Sequence, residues 1–216
     1  MLNTSEPAEL DAQSLIGSLR RQPLLVVLRA HQPLELYPTL VRLQSHGVRH
    51  VELAWSDHPD WSVQCRSLVH QFPSICFGAA SLRSEAALHG VATAGLSFAV
   101  SPVLDPRLLA LARSLELTLV PGVMTPSEVH QACELGCVMV KLFPAATLGP
   151  DYWRRLAGPL GPLPFCIAAG GLGPADLSQW LAAGADAVAI GASLGVDDTD
   201  QEAWRQLAYW LQMQSG

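Results

Sequence analysis

The sequence has almost no lysine: Lys141 stands alone against twelve arginines. It also lacks an excess of positive charge, since the net charge is −6 at pH 7 and only 15% of the 216 residues are charged. Nucleic acids are bound through basic surfaces, so this balance disfavours nucleic acid as a partner. The single lysine marks a position whose chemistry arginine cannot replace, because a guanidinium is not deprotonated in proteins.

Long apolar runs are absent too. No run reaches the roughly 18 residues of a membrane span, and the acidic, polar beginning of the chain does not resemble a secretory signal. We therefore expect a cytoplasmic protein without membrane contact. The five cysteines are scattered, which is typical of reduced thiols. Cys133 and Cys137 lie four residues apart, but no partner pair or nearby histidine follows them, so we expect no metal there. We expect no other cofactor either.

Short apolar runs alternate with amphipathic stretches along the chain. The predicted strands are Leu24–Leu28, Val48–Leu53, Ser74–Gly78, Ser97–Val100, Leu117–Pro121, Cys137–Leu142, Pro164–Ala168 and Ala187–Ile190. The predicted helices are Leu10–Arg21 and then, one after each strand, Pro33–His46, Pro59–Gln71, Ser84–Ala94, Asp105–Ser114, Pro126–Leu135, Asp151–Ala157, Pro174–Ala183 and Asp200–Gln212. Nearly continuous apolar strands are covered on both faces, as in parallel sheets. The pattern predicts one α/β domain over residues 1–216, a TIM (β/α)8 barrel with a leading N-terminal helix; a doubly wound sheet is the alternative.

Active sites of such barrels lie at the carboxyl ends of the strands. Of the residues at those ends, we select Lys141 and Glu52 as catalytic candidates. The candidates for substrate binding are Arg29, Ser81, Pro102, Gly170, Gly171 and Ser193.

Lys141 lies within an apolar strand, and apolar neighbours lower the pKa of an amine. A neutral amine can attack a keto group and form a Schiff base, whose protonated imine then accepts electrons from an adjacent carbon–carbon bond. The alternative is a lysine that extends from the strand end into solvent. Glu52 ends the second strand between apolar residues, where burial would fit it for proton transfer; an ion pair with Arg29 is the alternative.

The other candidates suit anionic groups of a substrate. Arg29 can bind a carboxylate or a phosphate through two parallel hydrogen bonds, unless it is simply a surface arginine. Ser81 offers a hydroxyl, although a serine at this place could also cap the following helix. Gly170 and Gly171 follow the seventh strand and Ser193 follows the eighth, where barrel enzymes often bind phosphate.

These residues resemble the 2-keto-3-deoxy-6-phosphogluconate and 4-hydroxy-2-oxoglutarate aldolases. The likeness covers Leu24 to Ser193 and is most specific in the segments Val140–Ala145 and Pro121–Glu128 and in Ser101-Pro102. It implies that Lys141 is the Schiff-base residue, that Glu52 is the general acid and base, and that Ser81 replaces the usual threonine. It also implies a metal-free homotrimer that releases pyruvate from a keto acid, the small-molecule substrate.

The sequence departs from that family at several points. Ser56 stands where the family usually has an arginine for the pyruvate carboxylate, and Ala146 replaces a frequent glutamate. The related 2-keto-3-deoxy-6-phosphogalactonate aldolases also lack that arginine and carry one where Arg29 stands. The sequence thus leaves open the phosphogluconate or hydroxyoxoglutarate reaction, the phosphogalactonate reaction, a phosphate-binding isomerase or synthase, and a barrel protein that has lost lyase turnover.

Overall fold

The computed structural model describes residues 7–191 and 200–214, with side chains from residue 12 onward. Its strands are all parallel. They are β1 (Leu24–Leu28), β2 (His50–Ala54), β3 (Cys76–Ala80), β4 (Phe98–Val100), β5 (Thr118–Val120), β6 (Gly122–Val123), β7 (Met139–Leu142), β8 (Phe165–Ala169) and β9 (Ala187–Ile190). In the sheet they follow the order β5-β4-β3-β2-β1-β9-β8-β7-β6.

The barrel closes through the chain itself at Pro121. The sequence predicts one strand here, Leu117–Pro121, whereas the structure has two short segments, of which β5 pairs with β4 and β6 pairs with β7. Proline has no N–H to give to a ladder, so the strand is interrupted where it changes neighbours. The carbonyl of Pro121 still accepts a hydrogen bond from the Lys141 amide at 2.8 Å. The predicted TIM-type barrel is thus confirmed, with nine segments forming eight barrel positions.

Helices alternate with the strands. They are α1 (Pro7–Arg21), α2 (Tyr37–Ser45), α3 (Trp61–Gln71), α4 (Glu85–Ala94), α5 (Pro106–Ser114), α6 (Pro126–Glu134), α7 (Ala145–Leu148), α8 (Tyr152–Leu160), α9 (Leu177–Ala182) and α10 (Gln201–Gln214). Two predicted helices begin as 3-10 turns, at Pro33–Leu36 and Pro174–Asp176, and the short α7 is not predicted from the sequence. None of the helices in the described ranges is long and apolar enough to cross a membrane.

Capping residues set several helix starts. Thr125 and Glu128 form a reciprocal capping box at α6, and the Asp105 carboxylate accepts the Arg107 amide hydrogen at the start of α5. At α4 the cap is Ser84, whose hydroxyl accepts a hydrogen bond from the Ala87 amide. Such bonds satisfy amides that the first helical turn leaves without partners. The starts of α4, α5 and α6 are therefore fixed by side-chain caps.

Side chains of the strands alternate between two cores. Residues such as Val51, Leu53 and Val140 point outward into a large cluster with the helices. Residues two apart on the other face, such as Phe98 and Val100, fill the barrel interior. Because successive strand residues point to opposite faces, positions 52 and 141 face the interior.

The leading helix closes the amino end of the barrel. Leu15, Ile16 and Leu19 of α1 pack with the interior cluster. The buried His50 ring lies nearby, with Nδ1 at 3.2 Å from the Leu24 carbonyl oxygen and Nε2 at 2.8 Å from Ser18 Oγ. Burial lowers the pKa of His50 to about 4, so the ring is neutral near pH 7. The interior therefore opens toward solvent at its carboxyl end.

Candidate active site

Lys141 extends from β7 into the barrel interior, and only 7% of the residue is exposed. Its Nζ lies 5.0 Å from the centroid of the Phe143 ring, within range of a cation–π contact. Burial lowers the pKa of Lys141, the positive charge of Arg29 lowers it further, and Glu52 partly opposes both. This environment favours the neutral amine and excludes a lysine that merely extends into solvent.

Glu52 approaches the same region from β2 and is 1% exposed. Its two carboxyl oxygens have no hydrogen-bond partner among the described residues, so it forms no hydrogen-bonded ion pair with Arg29. Burial raises the pKa of Glu52 to about 7, against the opposing attraction of Lys141 and Arg29. A carboxyl group with such a pKa can both accept and donate a proton near neutral pH.

Arg29 and Ser81 meet at the mouth of the barrel. Arg29 Nη2 donates a hydrogen bond to Ser81 Oγ at 2.9 Å. Ser81 does not cap α4, since Ser84 performs that role, and its φ of +68° places it in the left-handed region. The pair therefore presents a guanidinium, with donors left over, beside the buried amine and carboxyl group.

A cavity of about 330 Å³ opens between the carboxyl ends of β1, β7, β8 and β9. It is lined by Val27, Arg29, Lys141, Phe143, Ala169, Gly170, Gly171, Leu172, Ala189, Ile190 and Gly191. Its size lies at the small end of the range for small-molecule sites. Four of the predicted site residues thus share one cavity, with Lys141 in its wall.

The glycines of this cavity cannot be replaced freely. Gly170 and Gly171 have φ of +97° and +79°, which residues with side chains rarely adopt. A Cβ at Gly170 would lie 2.7 Å from the Phe143 ring, and one at Gly171 would lie 2.8 Å from Ala146 Cβ. The Gly170-Gly171 backbone therefore passes directly beside the cavity wall.

Three of the predicted site residues, Glu52, Ser81 and Pro102, do not line this cavity. Pro102 is absent from the cavity lining; its backbone packs against Gly122, where a Cβ would lie 2.4 Å from the Pro102 carbonyl oxygen. Ser193 lies outside the described residues. Phe143 was not predicted from the sequence, whereas Gly191 lies two residues before the predicted Ser193, in the segment that follows the last strand. Phe143 could have been found, because it lies two residues after Lys141 and thus on the same side of the chain.

The residues do not suggest a metal centre. Within residues 7–191 and 200–214, no group of three or more histidine, cysteine, aspartate or glutamate side chains is placed to hold an ion. All five cysteines are free thiols. Burial raises the pKa of Cys137 to about 11, which makes it a poor thiolate ligand. The absence of a metal requirement remains a prediction that a chelator can test.

Comparisons with known proteins agree with this chemistry. The family described as "Aldolase: KDPG and KHG aldolase" matches residues 15–208. The chain is 27% identical over 187 residues to the 2-dehydro-3-deoxy-6-phosphogalactonate aldolase of Escherichia coli (strain K12), covering 84% of this chain and 91% of the relative. It is 30% identical over 173 residues to the KHG/KDPG aldolase of the same organism, covering 79% and 78%. A solved structure described as "Native KDPGal structure" superposes with a TM-score of 0.77 at 25% identity, covering 89% of this chain and 96% of the other.

Proposed function

The chain belongs to the KDPG and KHG aldolase family, as a carbon–carbon lyase acting by the class I mechanism on 2-keto-3-deoxy sugar acids, and we propose that Lys141 forms the Schiff base. The observation that carries this assignment is the buried amine of Lys141 beside the buried carboxyl group of Glu52. Burial moves the pKa of the amine down and that of the carboxyl group up, so each approaches the protonation state that the chemistry needs.

Bond cleavage begins at Lys141. Its neutral amine attacks the keto carbon of the substrate, and loss of water leaves a protonated imine. The Glu52 carboxylate takes the proton from the C4 hydroxyl, and the C4 oxygen forms the aldehyde carbonyl as the C3–C4 bond breaks. The pair from that bond forms the C2–C3 double bond, and the π electrons of the imine move to its nitrogen. The aldehyde leaves and an enamine remains. The protonated Glu52 then returns its proton to C3, and water releases pyruvate from the lysine.

Arg29 is proposed to hold the carboxylate of the keto acid. It lines the cavity together with Lys141 and already donates to Ser81, so a bound anion would meet a guanidinium of fixed orientation. Ser56 stands at the position of the family's usual arginine, but its hydroxyl donates a hydrogen bond to the His31 carbonyl oxygen at 3.3 Å. It is therefore engaged elsewhere and does not replace that arginine.

The distal anionic group of the substrate is proposed to bind at Gly170, Gly171 and Gly191. All three glycines line the cavity. Because they have no side chains, their backbone amides can approach phosphate oxygens closely. The sequence prediction adds Ser193 to the same site. A 6-phosphate, or the second carboxylate of 4-hydroxy-2-oxoglutarate, would meet this loop.

The phosphogalactonate reaction is the second candidate. Arg29 at the end of β1, combined with Ser56 after β2, is the feature that favours it over the phosphogluconate reaction. The two substrates differ in configuration at C4, where Glu52 acts. Comparing kcat/KM for the two phosphorylated acids, with 4-hydroxy-2-oxoglutarate as a third substrate, decides between them; a ratio near one would indicate a relaxed C4 preference.

Borohydride trapping tests the mechanism itself. With pyruvate and borohydride, the protein should gain a stable adduct that mass spectrometry of peptides locates on Lys141. An isomerase or synthase that only binds phosphate gains no adduct. A chain that gains the adduct but cleaves none of the three acids would have lost turnover while keeping imine chemistry.

A homotrimer is proposed as the assembly. Support comes from apolar side chains that lie exposed near the barrel mouth, Val103 at 47% and Met124 at 38%. Their loops adjoin, since the Gly122 amide donates to the Val103 carbonyl oxygen. Light scattering coupled to size exclusion should give three times the chain mass, and a monomer mass would contradict the proposal.

A further inference from the structure

Three neighbouring strands place Glu52, Gly78 and Phe98 in one row of the barrel interior. The register pairs Glu52 with Gly78 and Gly78 with Phe98. All three positions share the inward face, because their chain neighbours Val51, Phe77 and Ala99 belong to the outer core. The catalytic carboxyl group is therefore separated from a fully buried phenylalanine by a residue that has no side chain.

The Phe98 ring occupies the space that Gly78 leaves free. A Cβ on Gly78 would lie 2.3, 2.4 and 2.6 Å from the Cε2, Cζ and Cδ2 atoms of that ring. Strands in a sheet lie about 4.8 Å apart, so a ring lying over the middle strand has left its own strand and faces the next. The edge formed by Cδ2, Cε2 and Cζ thus covers the inward face of Gly78, which is paired with Glu52 on β2.

The surroundings of Glu52 show what this ring can do. The charged groups that act on Glu52 are Lys141 from β7 and Arg29 after β1, and both favour the carboxylate. His50 lies two residues away on β2, but its nitrogens are engaged by Ser18 and Leu24. The row itself contributes apolar groups: Val27, paired with Glu52 on β1, and Phe98 beyond Gly78.

We propose that Phe98, lying across Gly78, is a positioning residue that excludes water from the Glu52 carboxyl group and so fits it to carry a proton during catalysis. The inference rests on the proposed role of Glu52 and extends it to a residue outside the substrate cavity. Neither Glu52 nor Phe98 lines that cavity. The Phe98 side chain has no group that can exchange a proton, so it acts only through Glu52. The pair of Gly78 and Phe98 acts as a unit, since any larger residue at position 78 would displace the ring.

The experiment follows the exchange of pyruvate methyl protons with solvent deuterium by proton NMR across pH. In the wild-type protein, exchange should rise with pH as Glu52 becomes able to accept the proton. In Phe98→Ala, water reaches the carboxyl group, and the midpoint of this rise should fall by about one pH unit. Phe98→Leu should give a smaller fall, and Gly78→Ala should change the midpoint in the same direction.

Phe165→Leu is the matched control. Phe165 lies in the same interior cluster but is paired with Met139 on β7, not with the row of Glu52, Gly78 and Phe98, so its loss should cost stability without moving the midpoint. Circular dichroism shows which variants fold; if Phe98→Ala does not, Phe98→Leu and Gly78→Ala carry the test. An unchanged midpoint in the folded Phe98 and Gly78 variants, or an equal change in Phe165→Leu, would overturn the inference.

A substrate-free measurement separates this inference from the proposed function. If borohydride traps no adduct in the wild-type protein, the Schiff-base assignment fails. The free energy of unfolding can still be measured across pH for the wild-type protein, Glu52→Gln, Phe98→Leu and the double variant. Glu52→Gln should change the pH dependence of this free energy less when Phe98 is already leucine than in the wild-type protein. An equal change in both backgrounds would refute the role of Phe98.

Discussion

Replacing Glu52 by glutamine should stabilise the folded protein more at pH 8 than at pH 5. Burial raises the pKa of Glu52 from 4.5 to about 7, so the folded state holds this proton more tightly than the unfolded state does. As pH rises from 4.5 through 7, the unfolded chain releases the proton first, and the folded state loses relative stability. Glutamine has no proton to lose and avoids that loss.

The magnitude follows from the shift in pKa. A pKa difference of one between the folded and unfolded states corresponds to about 1.36 kcal/mol. The difference between 4.5 and about 7 therefore lowers the free energy of unfolding by about 3 kcal/mol above pH 7. Part of this is already lost at pH 5, which leaves about 2 to 3 kcal/mol to appear between pH 5 and pH 8. The side chain is fully buried, so solvent screening reduces the figure little.

Urea unfolding followed by tryptophan fluorescence measures this effect. The free energy of unfolding is determined for the wild-type protein and for Glu52→Gln at pH 5 and pH 8, and the difference between the proteins is compared at the two values. Because the pKa of His50 is low in the folded state, acid lowers the free energy of unfolding of both proteins equally. This effect therefore cancels in the difference between them. A difference that is the same at both pH values would refute the conclusion that burial holds a proton on Glu52.

Four further outcomes test the site. Lys141→Arg should fold but neither form the trapped adduct nor cleave substrate, since arginine keeps the charge without a nucleophilic amine; retention of substantial turnover would exclude the Schiff-base role. Glu52→Gln should still form the adduct with pyruvate yet lose roughly 10²–10⁴-fold in cleavage and methyl exchange, the usual scale for a general acid or base; wild-type exchange would mean that another group moves the proton. Arg29→Ala should lower kcat/KM by an amount worth on the order of 2–4 kcal/mol. The control Arg107→Ala, which breaks a surface pair with Asp105, should leave kcat/KM unchanged. An unchanged kcat/KM in Arg29→Ala would contradict carboxylate binding. A chelator should leave cleavage unchanged, and activity lost in EDTA but restored by zinc or magnesium would argue against a class I mechanism.

Much of the barrel could be predicted because its strands are continuously apolar and its helices are marked by caps. The starts of several strands could not. The structure begins β2 at His50, β3 at Cys76 and β7 at Met139, two residues after each predicted start. Apolar composition marks where a chain is buried, whereas a strand begins only where a neighbour can pair with it. The change of neighbours at Pro121 depends on such pairing as well.

Some residues of the candidate site could likewise be predicted from the sequence, and others could not. Lys141 and Glu52 are visible in the sequence because a charged residue within an apolar strand is unusual. The contribution of Phe98 is not visible, since in a strand buried on both faces the alternation of apolar and polar residues disappears. Only the register shows that Phe98 shares a row with Glu52. The contact between Arg29 and Ser81 likewise joins loops that lie 52 residues apart.

The two faces of each strand carry different tasks, and this explains why stability and activity should oppose each other at Glu52. Outward residues such as Val51 and Leu53 bury apolar surface against the helices and favour folding. Inward, β2 buries a carboxyl group without any hydrogen-bond partner among the described residues, which disfavours folding whenever that group is ionised. In the proposed mechanism the carboxylate must nevertheless form for the C4 proton to be removed. A substitution that relieves this unfavourable burial would then remove the group that the reaction needs, so gains in stability at position 52 should come with losses in turnover.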